Sequence, residues 1–189
     1  MKSLNQYIKE KLIINKDYVD VNMLTPKSFY ELRKIIDDRY KKLGPGTEQK
    51  PIDFNDIDVS NLNSFRNKGK GIFEETKFKY IDISYWDVSN ATNMTYMFYG
   101  CDELKSVRDI SGWDVSSVTD MNGMFCECKS FNQDLSSWNV SNVISMTSMF
   151  DGCKSFNQDI SGWDVSNVRH HEFTFYNCLI KEEYKPKFK

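Results

Sequence analysis

The sequence predicts an α/β repeat, a solenoid of about five coils with a helical cap at its N-terminal end, and three observations predict it. Tryptophans recur at Trp86, Trp113, Trp138 and Trp163, each followed fifteen residues later by a cysteine, Cys101, Cys128, Cys153 and Cys178. Within each unit the apolar spacing changes from a strand step to a helix step. A single unit of about 25 residues carries too little apolar surface to offset the entropy of ordering itself, so units must stack.

Composition supports a folded chain: hydrophobic residues make up 40% and aromatics 14%, enough for a real core. Charge is uneven. Residues 1–50 carry eleven Lys/Arg against seven Asp/Glu, residues 51–178 carry ten against eighteen, and residues 179–189 carry four against two. An acidic main body is the wrong sign for a nucleic-acid surface, so no nucleic acid is expected as partner. No apolar run approaches the roughly 18 to 20 residues that cross a bilayer. With no signal peptide, lipid anchor or transmembrane segment legible in the opening residues, the expectation is no membrane insertion and a cytoplasmic or virion-associated protein.

Residues 1–50 read as an N-terminal helical segment. Leu4, Tyr7, Ile8 and Leu12 make an apolar stripe among charged residues, preceded by Ser3 and Gln6 at capping-box spacing. This stripe is a candidate docking helix that places the protein in a larger assembly. A second helical pattern opens at Thr25 as N-cap with Pro26 at the first position. It carries Phe29, Leu32, Ile36, Tyr40 and Leu43 on one side and stops at Gly44-Pro45. It is predicted to cap the repeats.

Residues 51–178 are the predicted solenoid. Leu135, Trp138 and Val140 fit a short strand whose middle residue points outward. Val143, Met146, Met149, Phe150 and Cys153 then step by three, three, one and three, which predicts about three turns of helix. Equivalent residues fall in rows, among them Val88, Val115, Val140 and Val165, and Phe98, Phe125, Phe150 and Phe175. A weaker first unit begins at Ile57, with Phe73 in the Phe place and Thr76 near the Cys place. In the last unit His171 stands where Met94, Met121 and Met146 stand before it, which ends the stack. Residues 179–189 read as a basic, solvated C-terminal tail.

The units "WDVSNATNMTYMFYGCDEL", "WDVSSVTDMNGMFCECKSFNQDLSS" and "WNVSNVISMTSMFDGCKSFNQDISG" closely resemble the repeat of the BspA-like leucine-rich-repeat family, in the variant found in mycoplasma-type surface lipoproteins. The resemblance covers roughly residues 53–178. It implies a right-handed, leucine-rich-repeat-like solenoid and a non-catalytic role in adhesion or protein recognition.

The residues that carry chemistry elsewhere are here arranged in rows. Four cysteines placed one per coil, without a CxxC pair, do not converge as a zinc site requires, so no metal is expected. An odd count of five cysteines suits reduced, buried thiols. His170 and His171 have no nucleophile motif, HExxH spacing or phosphate loop beside them, so no catalytic residue and no cofactor is expected. Two aspartate rows remain. Asp82, Asp109, Asp134 and Asp159 are expected to accept from turn amides. Asp87, Asp114, Asn139 and Asp164 are expected to line an exposed, concave strand face, with Ser111, Ser136 and Ser161 nearby.

That face is the candidate partner-binding surface. The predicted function is a non-catalytic protein–protein interaction module whose partner is another protein. The alternative is a structural or assembly component of a phage particle, or a cell-surface adhesion protein.

Overall fold

The computed structural model describes residues 23–189; the expected docking helix at Leu4, Tyr7, Ile8 and Leu12 lies outside them. The first element is helix α1, Phe29–Leu43. It begins three residues later than the sequence pattern suggests, because Leu24 is drawn into an isolated parallel bridge with Ile57 and leaves Thr25-Pro26 in the approach. Ser28 is the N-cap, accepting from the Glu31 amide at 3.3 Å, while the Glu31 carboxylate accepts from the Lys27 amide at 2.7 Å. Leu32 and Ile36 are buried, whereas Leu43, expected on the packed side, is exposed. Gly44 ends the helix at φ 75°, its amide donating back to the Tyr40 carbonyl.

The expected α/β solenoid of five strand-and-helix coils is not what forms. Among the described residues the only α helix is α1, and the only sheets are two small ones of two strands each. Strand β1 (Ile52–Asp53) pairs in parallel with β4 (Ile81–Asp82), and β2 (Arg66–Asn67) pairs antiparallel with β3 (Lys70–Gly71) through Lys68-Gly69, both at positive φ. From Ala91 onward the units contain turns and isolated bridges alone.

The backbone explains why the helical spacing misleads. In the stretch from Met146 to Cys153, Ser148 and Gly152 adopt φ of 55° and 73°; Tyr96 and Gly100, Gly123 and Glu127, and Phe173 and Asn177 hold the same places in the other units. A left-handed residue at every fourth position breaks each helical turn after it forms. The amides then divide their work. Those of Met149 and Cys153 close turns onto Met146 and Phe150 carbonyls, at 3.0 and 3.1 Å. Those of Met146, Ser148, Phe150 and Gly152 donate instead to His170, Glu172, Thr174 and Tyr176 of the following unit, at 2.7 to 2.9 Å. The same alternation links Met94–Gly100 to Asp120–Cys126, and Met121–Glu127 to Ser145–Asp151. Apolar steps of three and four therefore mark successive turns, each held sideways to its neighbour.

The expected Trp-x-Val strand also fails to pair. Trp138 donates its amide to Leu135 three residues back, and its indole Nε1–H reaches the Ile110 carbonyl at 2.9 Å; Trp86, Trp113 and Trp163 reach Phe54, Ile83 and Leu135 in the same way. Each indole thus ties its unit to the one before, satisfying a buried donor. The core is a file of phenylalanines. Phe73, Phe98, Phe125, Phe150 and Phe175 stack with centroids 5.3, 5.4, 5.6 and 5.7 Å apart, their planes within 10° of parallel.

Both ends are covered. At the first, Tyr40 of α1 meets Phe78 edge-on at 5.0 Å, and Arg39 lies 5.0 Å over Phe54 while pairing with both Asp56 oxygens. At the other, residues 179–189 fold back where a solvated tail was expected. Ile180 is buried, a short 3-10 helix forms at Glu182–Tyr184, and Phe188 stacks on His171 at 4.4 Å.

Candidate functional site

The sequence-predicted face is a series of turns. In each unit a carboxylate or amide oxygen accepts from the serine two residues on, which fixes a tight Asx-turn. Asp87 Oδ1 accepts from the Ser89 amide at 3.1 Å and its hydroxyl at 2.7 Å; Asp114 does the same with Ser116 at 3.1 and 2.6 Å. Asn139 holds Ser141 at 3.2 and 2.7 Å, and Asp164 accepts from the Ser166 amide at 3.0 Å. Only the acceptor oxygen is needed for the turn, which is why asparagine can stand in this row. All four residues are exposed. Each aspartate Oδ2 has no hydrogen-bond partner among the described residues and faces water.

The serines named beside this row belong elsewhere. Ser111, Ser136 and Ser161 donate to Asp109, Asp134 and Asp159, with amide distances of 3.0, 2.9 and 3.0 Å. Both aspartate rows therefore make Asx-turns, where only the row of Asp82, Asp109, Asp134 and Asp159 was expected to accept from turn amides. The turn-forming serines of the candidate row, Ser89, Ser116, Ser141 and Ser166, were legible as the Asp-Val-Ser or Asn-Val-Ser spacing. The Ser116 hydroxyl, and then its amide, hold Asp114 below its ordinary value of 3.8. Ser166 lowers Asp164 by the same two bonds. These carboxylates stay ionised at neutral pH.

Directly after the turns, Asn142 and Asn167 donate through Nδ2 to the Ser116 and Ser141 carbonyls of the preceding units, at 2.8 and 2.7 Å. They share an open groove of about 530 Å³ with Ser117, Thr119, Ile144 and Arg169. Ile144 is an exposed aliphatic residue in it. The arrangement offers a partner fixed carboxylate oxygens, amide edges and one apolar contact.

The cysteine row is committed inward. Cys101, Cys128 and Cys153 donate their thiols to the Phe73, Phe98 and Phe125 carbonyls at 3.0, 2.9 and 3.0 Å. Burial pushes Cys101 up to about 11 and Cys126 up to about 12, and raises Cys128 and Cys153 as well. These are neutral thiols, and those of Cys101, Cys128 and Cys153 act as small donors. Among the described residues no group of three or more His, Cys, Asp or Glu is placed to hold a metal ion. His171 is stacked against Phe188, and the His170 backbone bridges Ser145.

Residues 53–185 match the model of a family described as "Mycoplasma protein of unknown function, DUF285". The match covers more than half of the 189-residue chain. The chain belongs to this DUF285 family. No curated protein and no solved structure matches it. The family match takes in all four residues of the candidate row and runs on into the C-terminal segment as far as Lys185, past the last Trp–Cys unit. Among the described residues of this DUF285 chain, no helix is long and apolar enough to cross a membrane.

Proposed function

We propose that this DUF285 chain is a non-catalytic protein–protein interaction module that holds a partner's basic or amide-rich protrusions on the row Asp87, Asp114, Asn139 and Asp164. One observation carries the reading. In each aspartate of the row one oxygen is tied down by the serine two residues on, while the other is free. The charges are thus held in fixed positions at the entropic cost of the fold itself, and a partner need not order them. Rows of like, fixed charge suit long-range attraction of a cation-rich surface. The likeness of the units to BspA-like repeats, whose role is adhesion or recognition, supports the same reading.

Asn139 supplies the means of testing it. Since an amide oxygen keeps the turn there, the triple substitution Asp87→Asn, Asp114→Asn, Asp164→Asn removes charge without removing the turns. The triple variant is expected to unfold at the same urea concentration as the native chain and to lose the partner retained from its native source, with native binding weakening as salt rises. Retention of the partner by the triple variant overturns the acidic row. Removal of residues 1–13 is expected to leave binding intact; loss would move the function to the N-terminal segment instead.

A further inference from the structure

The hydrogen-bond alternation has a direction, and it leaves the two ends of the stack chemically unlike. In the units that open at Met94, Met121 and Met146 the amides at four alternate positions donate to the following unit, and in the latter two the carbonyl before each accepts from the preceding one. At the first end the free groups are therefore carbonyls. Arg33 of α1 covers them, donating to Ile72 and Glu74 oxygens at 3.2 and 3.3 Å and to Gly71 at 3.5 Å.

At the last end the free groups are amides. The carbonyls of His170, Glu172, Thr174 and Tyr176 are taken by the unit before. The amides of His171, Phe173, Phe175 and Asn177 stand where Met146, Ser148, Phe150 and Gly152 donate onward, and have no acceptor among the described residues. Phe173 and Asn177 already hold the left-handed φ of 59° and 54° found at the donating positions. The edge is set in the conformation that receives another unit.

The side chains change at the same place. Where the preceding unit has Ser148, Asp151 and Lys154, the last has Phe173, Tyr176 and Leu179, exposed at 64%, 57% and 69%. Phe173 and Tyr176 meet edge-on at 5.8 Å. The folded-back tail covers His171 and Phe175 through Phe188, and leaves these three outside.

We propose that this end is a second binding surface, which takes an extended segment of another protein. The segment runs parallel to residues 170–177, presents a main-chain carbonyl at every second residue to the open amides, and lays apolar side chains on Phe173, Tyr176 and Leu179. Main-chain polarity selects this occupant. A second copy added head to tail would need the carbonyl edge that Arg33 fills, and two copies meeting at their last units would set donors against donors. A foreign peptide main chain supplies acceptors at the right step, as in strand addition to a sheet edge. The surface is distinct from the acidic row and stands without it.

The test is site-resolved amide exchange on the full chain. As probe we choose a synthetic peptide of residues 142–154 with Cys153→Ser, whose equivalent carbonyls accept from Met121, Gly123, Phe125 and Glu127 in the fold. The amides of Phe173 and Asn177 are expected to exchange at least about ten-fold faster than those of Ser148 and Gly152. The peptide should slow Phe173 and Asn177 by about ten-fold or more, and the surface variant Phe173→Ser, Tyr176→Ser should abolish that protection. Four results overturn the proposal: absence of protection by the peptide; protection already present that is lost on removing residues 1–22, which would assign the edge to the chain's own segment; protection that tracks dimer formation in light scattering; or unchanged peptide protection in the surface variant.

Discussion

Replacing Phe125 with alanine tests whether the file of rings holds the units together as one cooperative body. Phe125 is wholly buried, with Phe98 and Phe150 on its two faces at 5.4 and 5.6 Å and Phe131 at 4.2 Å. Truncating a buried phenylalanine costs about 3 to 5 kcal/mol, and a site packed on every side relaxes least, so a loss of about 4 is expected. Phe175, at the end of the file, is partly buried, with Phe150 at 5.7 Å and Phe188 at 6.5 Å. Its truncation should cost about 1 to 2 kcal/mol, since less area leaves water on folding. Against a total stability of about 5 to 15 kcal/mol, the first change is severe and the second mild. Equilibrium urea unfolding followed by indole fluorescence reads both, because Trp138 lies 6.3 Å from Phe125. With a slope of about 2 kcal/mol per molar, Phe125→Ala should lower the midpoint by about 2 M and Phe175→Ala by less than about 1 M. Equal shifts, or an inner substitution that melts only its own unit in a separate transition, would refute the reasoning.

Two further outcomes follow from the buried donors. Trp138→Phe keeps a ring against Trp113, which lies parallel at 6.3 Å, but removes the indole bond to the Ile110 carbonyl at 2.9 Å and leaves that carbonyl with the Trp113 amide alone, at 3.1 Å. A loss of about 0.5 to 1.5 kcal/mol in urea unfolding is expected, larger than for Trp113→Phe, whose bond to Ile83 is 3.3 Å. The thiols give a pH signature. Cys101 and Cys126 lie at about 11 and 12 in the fold, above the ordinary 9.0, so the native state holds protons that the unfolded chain releases. The thiols' contribution to stability should be level below pH 9.0 and fall between 9.0 and about 11. Urea midpoints at pH 8 and 10.5 measure the fall, a Cys101→Ala, Cys126→Ala variant should make it shallower while the raised Cys128 and Cys153 keep the rest, and a midpoint that rises with pH would contradict it.

The sequence on its own settled which residues are equivalent. The Phe row read from the chain is a file in space, and Trp113 lies parallel to Trp138, because a side chain repeated at a fixed interval packs against its own copy when units meet in register. The choice of buried residues was legible for the same reason. Asp87, Asp114, Asn139 and Asp164 are exposed because each stands between a buried tryptophan and a buried valine.

Tertiary structure alone decided how the backbone runs between those rows. Steps of three and four suit a helix and a chain of turns equally, and side-chain periodicity does not reveal where an amide points. Ser148 and Gly152 take positive φ because their amides find carbonyls in the next unit, a partner about 25 residues away. That distant partner outweighs local helical preference, so the predicted helices vanish and the strands shrink to bridges. The cap by Arg33, the folded-back tail and the open amide edge have the same origin: a main-chain group's partner depends on which piece of chain arrives beside it, and one-dimensional spacing does not encode that.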